Sequence, residues 1–267
     1  MNLLCPLCGM PLELNDRTWR CEAGHCYDVA RQGYVNLLPV QQKHSLTPGD
    51  TPAMLAARRA FLDEGHYAPV CADVTAAVEA HAPRIDTWID AGCGEGYYTA
   101  AFARQFPQAA VTGADIAKTA VRMACARDKH IRWITATASH LPLADGSADV
   151  ITAMFSLLCE EEYARVLREG GIVVEVTAGT DHLIELKRVI YDEVFPQHKH
   201  PAPPRGFLRE ISCERHSFRF TLEGSSLTNL FEMTPHTLRV PPERRQRLDA
   251  LPSLTLTADY FVRVLQK

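Results

Sequence analysis

The sequence predicts an α/β protein: a mostly parallel sheet covered by helices, with one antiparallel strand, preceded by a small cysteine-rich β module. Three observations carry this expectation. From Arg84 onward, short apolar strands alternate with helical stretches. The run Gly92-Cys93-Gly94-Glu95-Gly96 falls between one such strand and a helix. Cys5, Cys8, Cys21 and Cys26 crowd the start of the chain, while the other five of the nine cysteines are scattered singly.

Residues 1–38 are read as the cysteine-rich module, with a polar turn at Asn15-Asp16 between apolar flanks. Residues 39–83 form a linker: a loop, Thr47-Pro48-Gly49-Asp50-Thr51-Pro52, then helical patterns around Met54, Leu55, Arg58 and Phe61 and from Val70 to Ala80. Residues 84–267 form the main domain. Thr87 to Ala91 is a short apolar strand entering the glycine loop, and Tyr97 to Phe106 is a helix that stops before Pro107. Strands are expected at Val111–Ala114, Ile131–Thr135, Val150–Met154 and Ile172–Val176, with helices around Thr119–Arg127 and Glu160–Leu167 between them. Alternation of this kind builds a mostly parallel sheet with both faces covered. Ser217–Leu222 and Tyr260–Leu265 read as strands near the end, one of them closing the sheet antiparallel.

Composition narrows the function classes. At 267 residues, 46% hydrophobic and 22% charged, the chain has enough apolar material for a buried core. No apolar run is long enough to span a bilayer and no signal peptide is evident, so a cytoplasmic location is expected. The cysteine distribution suits reduced thiols and one metal site better than a secreted disulfide framework. The net charge of −4 does not by itself suggest nucleic-acid binding. Basic residues do outnumber acidic ones beyond Leu183, in runs such as Lys187-Arg188 and Arg244-Arg245-Gln246-Arg247. Such runs are ordinarily solvated helix faces, and phosphate binding is the minority reading.

The glycine loop has the strand-to-helix context that gives such loops meaning. Glycine lets the backbone turn sharply and approach a ligand closely. Asp115, ending the next strand, stands where it can accept hydrogen bonds from ribose hydroxyls. The spacing lacks the final interval of Gly-x-G-x-x-Gly, and no Gly-Lys-Ser/Thr occurs, so neither a dinucleotide site nor a P-loop is expected. At the N-terminus, Cys5-Pro6-Leu7-Cys8-Gly9 and the later Cys21-x-x-Gly24-His25-Cys26 have the spacing of a closed tetrahedral zinc site. His25 and Cys26 compete for the fourth position, since adjacent residues rarely both point inward. Zinc would be structural, because so small a segment cannot build a sufficient core.

The run from Asp90 to Gly96, with Asp115 and Ala138-Ser139-His140-Leu141-Pro142, resembles the Asp-x-Gly-x-Gly-x-Gly signature of Rossmann-like class I methyltransferases. Arg165 to Gly171 fits the turn feeding that fold's fifth strand. Together with Gly33 to Gln41, Pro48-Gly49-Asp50 and Ala57 to Tyr67, it is similar to the bacterial 23S ribosomal RNA guanine-N1 methyltransferases over nearly the whole chain. The resemblance implies S-adenosylmethionine (SAM) as cofactor and a structural zinc held by Cys5, Cys8, Cys21 and His25. It implies cofactor contacts at Tyr67, Gly94, Glu95 and His182, which join Asp90, Gly92 and Asp115 from the loop argument. It further implies a 23S ribosomal RNA hairpin as partner and a homodimer that builds the RNA cleft. The chain departs from the family after its fourth core strand: Met154-Phe155-Ser156-Leu157-Leu158 contains no proline.

Guanine N1 lies on the Watson–Crick edge and carries a proton, so a paired target must be flipped out and deprotonated. Phe155 is the candidate stacking residue, with a core aromatic as the competing role, and the sequence names no general base. Tyr97 and Tyr98 are read as packing residues before base contacts. Two other functions fit the same residues. One is a methyltransferase of a small molecule or protein, with zinc as a staple only. The other is a non-enzymatic RNA-binding protein with a residual cofactor pocket.

Overall fold

Residues 2–42, 49–194 and 199–267 are described in a computed structural model of the chain. Thr47 and Pro48 of the expected linker loop lie outside the described residues. The N-terminal module is a three-stranded antiparallel sheet of β1 (Glu13–Asn15), β2 (Thr18–Arg20) and β3 (Cys26–Asp28). Asp16 makes the β1–β2 turn with a φ of 54°, a conformation that a short polar side chain tolerates.

The next strand, β4 (Tyr34–Asn36), leaves the module and pairs in parallel at the edge of the large sheet. Thus part of the segment read as the metal module, residues 1–38, is built into the main domain. Two helices follow, α1 (Pro52–Asp63) and α2 (Ala68–His81). Thr51 caps α1 by accepting from the Met54 amide at 3.2 Å, and Pro52 occupies the first turn, where no amide is needed.

The main domain runs β5 (Thr87–Ala91), α3 (Tyr97–Gln105), β6 (Ala110–Asp115), α4 (Lys118–Ala124), β7 (Arg132–Thr135), β8 (Ala148–Met154), α5 (Glu160–Val166) and β9 (Leu167–Ala178). It continues through α6 (Ile184–Ile190), β10 (Arg209–Glu223), α7 (Gly224–Glu232), α8 (Pro242–Asp249) and β11 (Ser253–Gln266). The eight-stranded sheet has the order β10-β11-β9-β8-β5-β6-β7-β4. Every neighbouring pair is parallel except the two made by β11, so β11 alone runs against the rest. The antiparallel β10–β11 pair, whose strands are joined through α7 and α8, is much longer than the two short strands expected there. The glycine pair Gly170-Gly171, expected as a turn before β9, lies inside that strand.

Both faces of the central strands are buried, as in parallel sheets. Trp88, Val150, Ile172 and Val174 point into one core with α1, α2, α3, α6 and α7. Ile89, Ile151 and Val173 point into the other, covered by Tyr163 and Val166 of α5 and by the metal module. Leu3 and Leu12 of that module pack with Leu141 and Leu143, and the Leu4 amide donates to the Pro142 carbonyl at 2.8 Å. The module therefore supplies core surface to a sheet face that α5 covers only in part. No helix among the described residues is long and apolar enough to cross a membrane.

Trp133 shows how tightly the strand ends are set. Its indole lies over Gly113, where an added Cβ would sit 2.4 Å from the ring, and against Gly96, where one would sit 2.8 Å away. Gly113→Ala is expected to destabilise the protein by about 1–3 kcal/mol through overpacking. Urea denaturation followed by tryptophan fluorescence measures this, and an unchanged midpoint contradicts it.

Candidate active site and metal centre

At the carboxyl ends of β5, β6 and β8, the three loop glycines do different jobs. A Cβ on Gly92 would meet the Ser156 side chain at 2.8 Å, and one on Gly96 would meet Trp133 and Ala124. Gly94, at φ 56°, has no atom within 4 Å of where a Cβ would stand. Its bare face opens on a chamber of about 250 Å³ bounded by Gly92, Cys93, Glu95, Asp115, Ile116 and Ala117.

Asp115 fixes that chamber. One carboxylate oxygen accepts from the Gly94 amide at 2.9 Å and the other from the Ala117 amide at 2.7 Å. Burial holds its pKa above the ordinary carboxylate value, although both amides pull the other way. Each oxygen retains a lone pair for a ligand hydroxyl. Asp90 does not line the chamber. It lies buried beneath the loop, accepting from the Thr99 hydroxyl and from the Thr152 hydroxyl at 2.9 Å, with its pKa pushed up to about 6 by burial. Glu95 does line it, but the Arg127 guanidinium engages its carboxylate and the Tyr97 amide donates to it.

A second chamber of about 540 Å³ continues from the first, and both are walled by Asp50, Arg58, Leu62, Tyr98, Met154 and Phe155. Tyr67, His182 and Phe155 form its aromatic side. Phe155 lies 6.3 Å from the Tyr67 ring and 5.7 Å from His182, centroid to centroid. Phe155 has a φ of 50°, a conformation that costs a bulky residue energy, and its amide donates to the Val176 carbonyl at 2.9 Å. Its neighbour Ser156 donates to the Ala91 carbonyl at 2.9 Å, so the segment after β8 is pinned without a proline.

The Nδ1 of His182 sits against the Asp259 backbone, 3.0 Å from its carbonyl and 3.3 Å from its amide, and Nε2 lies 3.4 Å from the Tyr67 hydroxyl. Burial, aided by Lys187, lowers its pKa to about 4 and keeps the ring neutral. Arg58 donates to Asp50 at 2.7 Å and to the Met233 carbonyl at 3.1 Å, tying the linker to the segment after α7. Sequence reading gave no role to Asp50, Arg58 or Met154. The first two lie inside motifs it singled out, but nothing local signals that they share a wall. Tyr98 lines both chambers, whereas Tyr97 reaches only the smaller one.

In the N-terminal module, the ligating atoms of Cys5, Cys8, Cys21 and His25 all lie within 4.8 Å of one another. Cys8 and Cys21 sulfurs are 3.7 Å apart, and His25 Nδ1 is 3.5 Å from Cys5 Sγ and 3.4 Å from Cys21 Sγ. Zinc–sulfur bonds of about 2.3 Å require tetrahedral edges of roughly this size, so the donors fit zinc. Cys26 is exposed and turns its thiol to the Gly24 carbonyl, which leaves the fourth position to His25. Burial opposes ionisation of Cys5, but the Tyr27 hydroxyl and the Leu7 and Cys8 amides bring its thiol down to about 6.

Comparisons with known proteins agree with this geometry. Residues 3–46 match the family described as "RlmA, N-terminal", a zinc ribbon, and residues 89–174 match "Methyltransferase domain". The 23S rRNA (guanine(748)-N(1))-methyltransferase of Streptomyces fradiae is 43% identical over 189 residues, 69% of this chain and 66% of that one. The chain thus spans just under two thirds of that relative's length. Two others carry the name "Putative 23S rRNA (guanine-N(1)-)-methyltransferase". The one from Micromonospora griseorubida is 38% identical, covering 69% of this chain and 68% of its own. The one from Bacillus subtilis, YxjB, is 28% identical, covering 98% and 96%.

The two cysteines at the module's second corner give a direct test of the donor set. Cys21→Ser is expected to lose the bound zinc and unfold the module, since metal binding folds such segments. Cys26→Ser is expected to keep it. Metal content by mass spectrometry of the native protein decides, and equal loss from both variants contradicts the assignment.

Proposed function

The chain belongs to the family of bacterial 23S rRNA guanine-N1 methyltransferases, and from that premise we propose that it methylates N1 of a guanine in a 23S rRNA hairpin, using SAM. One observation carries the reading furthest: the aromatic chamber opens directly from the glycine-loop chamber, with Phe155 and Met154 in the wall they share. A cofactor seated at Gly92, Gly94 and Asp115 would present its reactive end toward a base lying against Phe155, Tyr67 and His182.

SAM supplies an electrophilic methyl group on a sulfonium. The protein's share is to hold the acceptor nitrogen in line and to accept its proton. Phe155, held in a strained backbone conformation, is the stacking surface for a base taken out of its helix. Among the described residues, Asp50 is the carboxylate that lines both chambers, and Arg58 fixes its position. Its carboxylate is the group we assign to accept the N1 proton. Glu95 and Asp115 line the glycine-loop chamber and not the aromatic one. Neutral His182, bonded to Tyr67, shapes the base pocket as an uncharged wall.

We read the zinc ribbon as fold staple and RNA docking surface together, held by Cys5, Cys8, Cys21 and His25. The enzyme works in the cytoplasm, where its RNA is, and as a homodimer whose two copies frame the RNA. The chamber beside Gly94 is open, with no side chain of the described residues filling it, which favours a working pocket over a residual one.

Incubation of unmodified 23S rRNA transcript with methyl-labelled SAM, followed by nucleoside analysis, is expected to yield 1-methylguanosine. Phe155→Ala should lower kcat/KM for RNA by about 5- to 100-fold, the worth of a stacked base. Label appearing instead in small molecules or protein, or undiminished transfer by the Phe155→Ala variant, contradicts the reading.

A further inference from the structure

The acceptor chamber opens outward into a third cavity of about 510 Å³, and the two share Lys187, Lys199, His236 and Arg239. These come from α6, from the segment before β10 and from the turn between α7 and α8. On a chain of net charge −4 this is an uneven placement. Arg188 lines the outer cavity as well. Opposing these cations there are Asp181 and Glu193, and Asp181 is already engaged by Arg215 at 2.9 Å.

The other basic run behaves differently. Arg244 and Arg247 both pair with Asp192, and Arg245 pairs with Glu232 and Asp249. Among the described residues, no ion pair engages the side chains of Lys187, Lys199 or Arg239. Their fields overlap at His236, whose pKa falls to about 4 through burial and then through Lys187, Arg239 and Lys199. That neutral ring donates no positive charge of its own, and its Nδ1 is held by the Tyr191 hydroxyl at 2.8 Å. Lys187 is half-buried, and burial and Lys199 both lower its pKa, so it would gain from an anion beside it.

A nucleotide is one covalent unit. If its base fills the aromatic chamber, its sugar and phosphates lie outside it, and the outer cavity lined by these side chains adjoins that chamber. We propose that Lys187, Lys199 and Arg239 form a seat for an RNA backbone phosphate next to the flipped guanine, gripping the strand while the base is held against Phe155. The inference rests on the base-pocket reading given above. It assigns a role in RNA capture and in orienting the base; SAM binding and proton removal lie elsewhere.

The test uses the full chain, SAM and an unmodified 23S rRNA transcript at several salt concentrations. Lys187→Gln and Arg239→Gln should each raise KM for RNA about tenfold, the loss of one charge-assisted hydrogen bond. Each should also flatten the dependence of log KM on log salt by about 0.7, as expected for one phosphate contact to a single strand. SAM affinity should be unchanged, which also shows that both variants fold. The doubly substituted Arg244→Gln, Arg247→Gln protein should stay within about twofold of wild type, because those arginines are occupied by Asp192. Wild-type transfer to RNA with KM and salt slope unaltered in both seat variants overturns the seat and leaves the base pocket standing. Failure of the wild-type protein to methylate the RNA overturns both.

Discussion

The two hydrogen bonds that Asp115 accepts are the constraint on which the site depends. The carboxylate sits at the end of β6 and holds the Gly94 amide with one oxygen and the Ala117 amide with the other. It thereby fixes the loop after β5 and the turn before α4 relative to each other, and the chamber is the space left between them. Everything downstream follows from that spacing. Gly94 presents a bare face to the chamber, Gly92 admits Ser156 from the segment after β8, and Ser156 in turn leaves Phe155 at the boundary with the second chamber. Asp90 supports the arrangement from below, through Thr99 of α3 and Thr152 of β8, without reaching the ligand space.

The zinc ribbon enters the same account through packing. Leu3 and Leu12 join the core under Leu141 and Leu143, so loss of the metal would loosen a sheet face as well as a small appendage. β4 continues from the ribbon into the sheet edge beside β7, a second tie between the two parts. A cation–π contact of Arg132 with Trp19, 5.6 Å from the ring, adds a third. A staple and a docking surface are therefore compatible roles for one module.

The core strands and the glycine loop were legible because their signals are local. Thr87 to Ala91, Val150 to Met154 and Ile172 to Val176 are short, largely apolar runs, and the cysteine spacing brings its donors together within one small module. The choice of His25 over Cys26 was not legible from spacing, since it depends on which side chain the Gly24 turn directs inward. The first half of β10 escaped because Arg209 to Arg215 shows no regular alternation and carries a register shift between Glu210 and Ser212, whereas Ser217 to Leu222 alternates and was read as a strand. The acceptor chamber escaped for a different reason. Arg58 and Met233 meet across 175 residues, and His236 and Arg239 reach the site because the linker and the segment after α7 are drawn together. No motif encodes such a meeting. The left-handed backbone at Phe155 was equally silent, since nothing in Met154-Phe155-Ser156 forecasts a positive φ.

Isothermal titration of SAM into the Asp115→Asn variant tests the central claim most directly. An asparagine amide in that position must face one of the two backbone N–H groups with a donor of its own, which costs about 1–3 kcal/mol for the buried amide left unsatisfied. SAM affinity is expected to fall by about 5- to 150-fold, with the fold retained by circular dichroism. Wild-type affinity in that variant would contradict the account, because the chamber would then hold its shape and its ligand without the carboxylate that is said to define it.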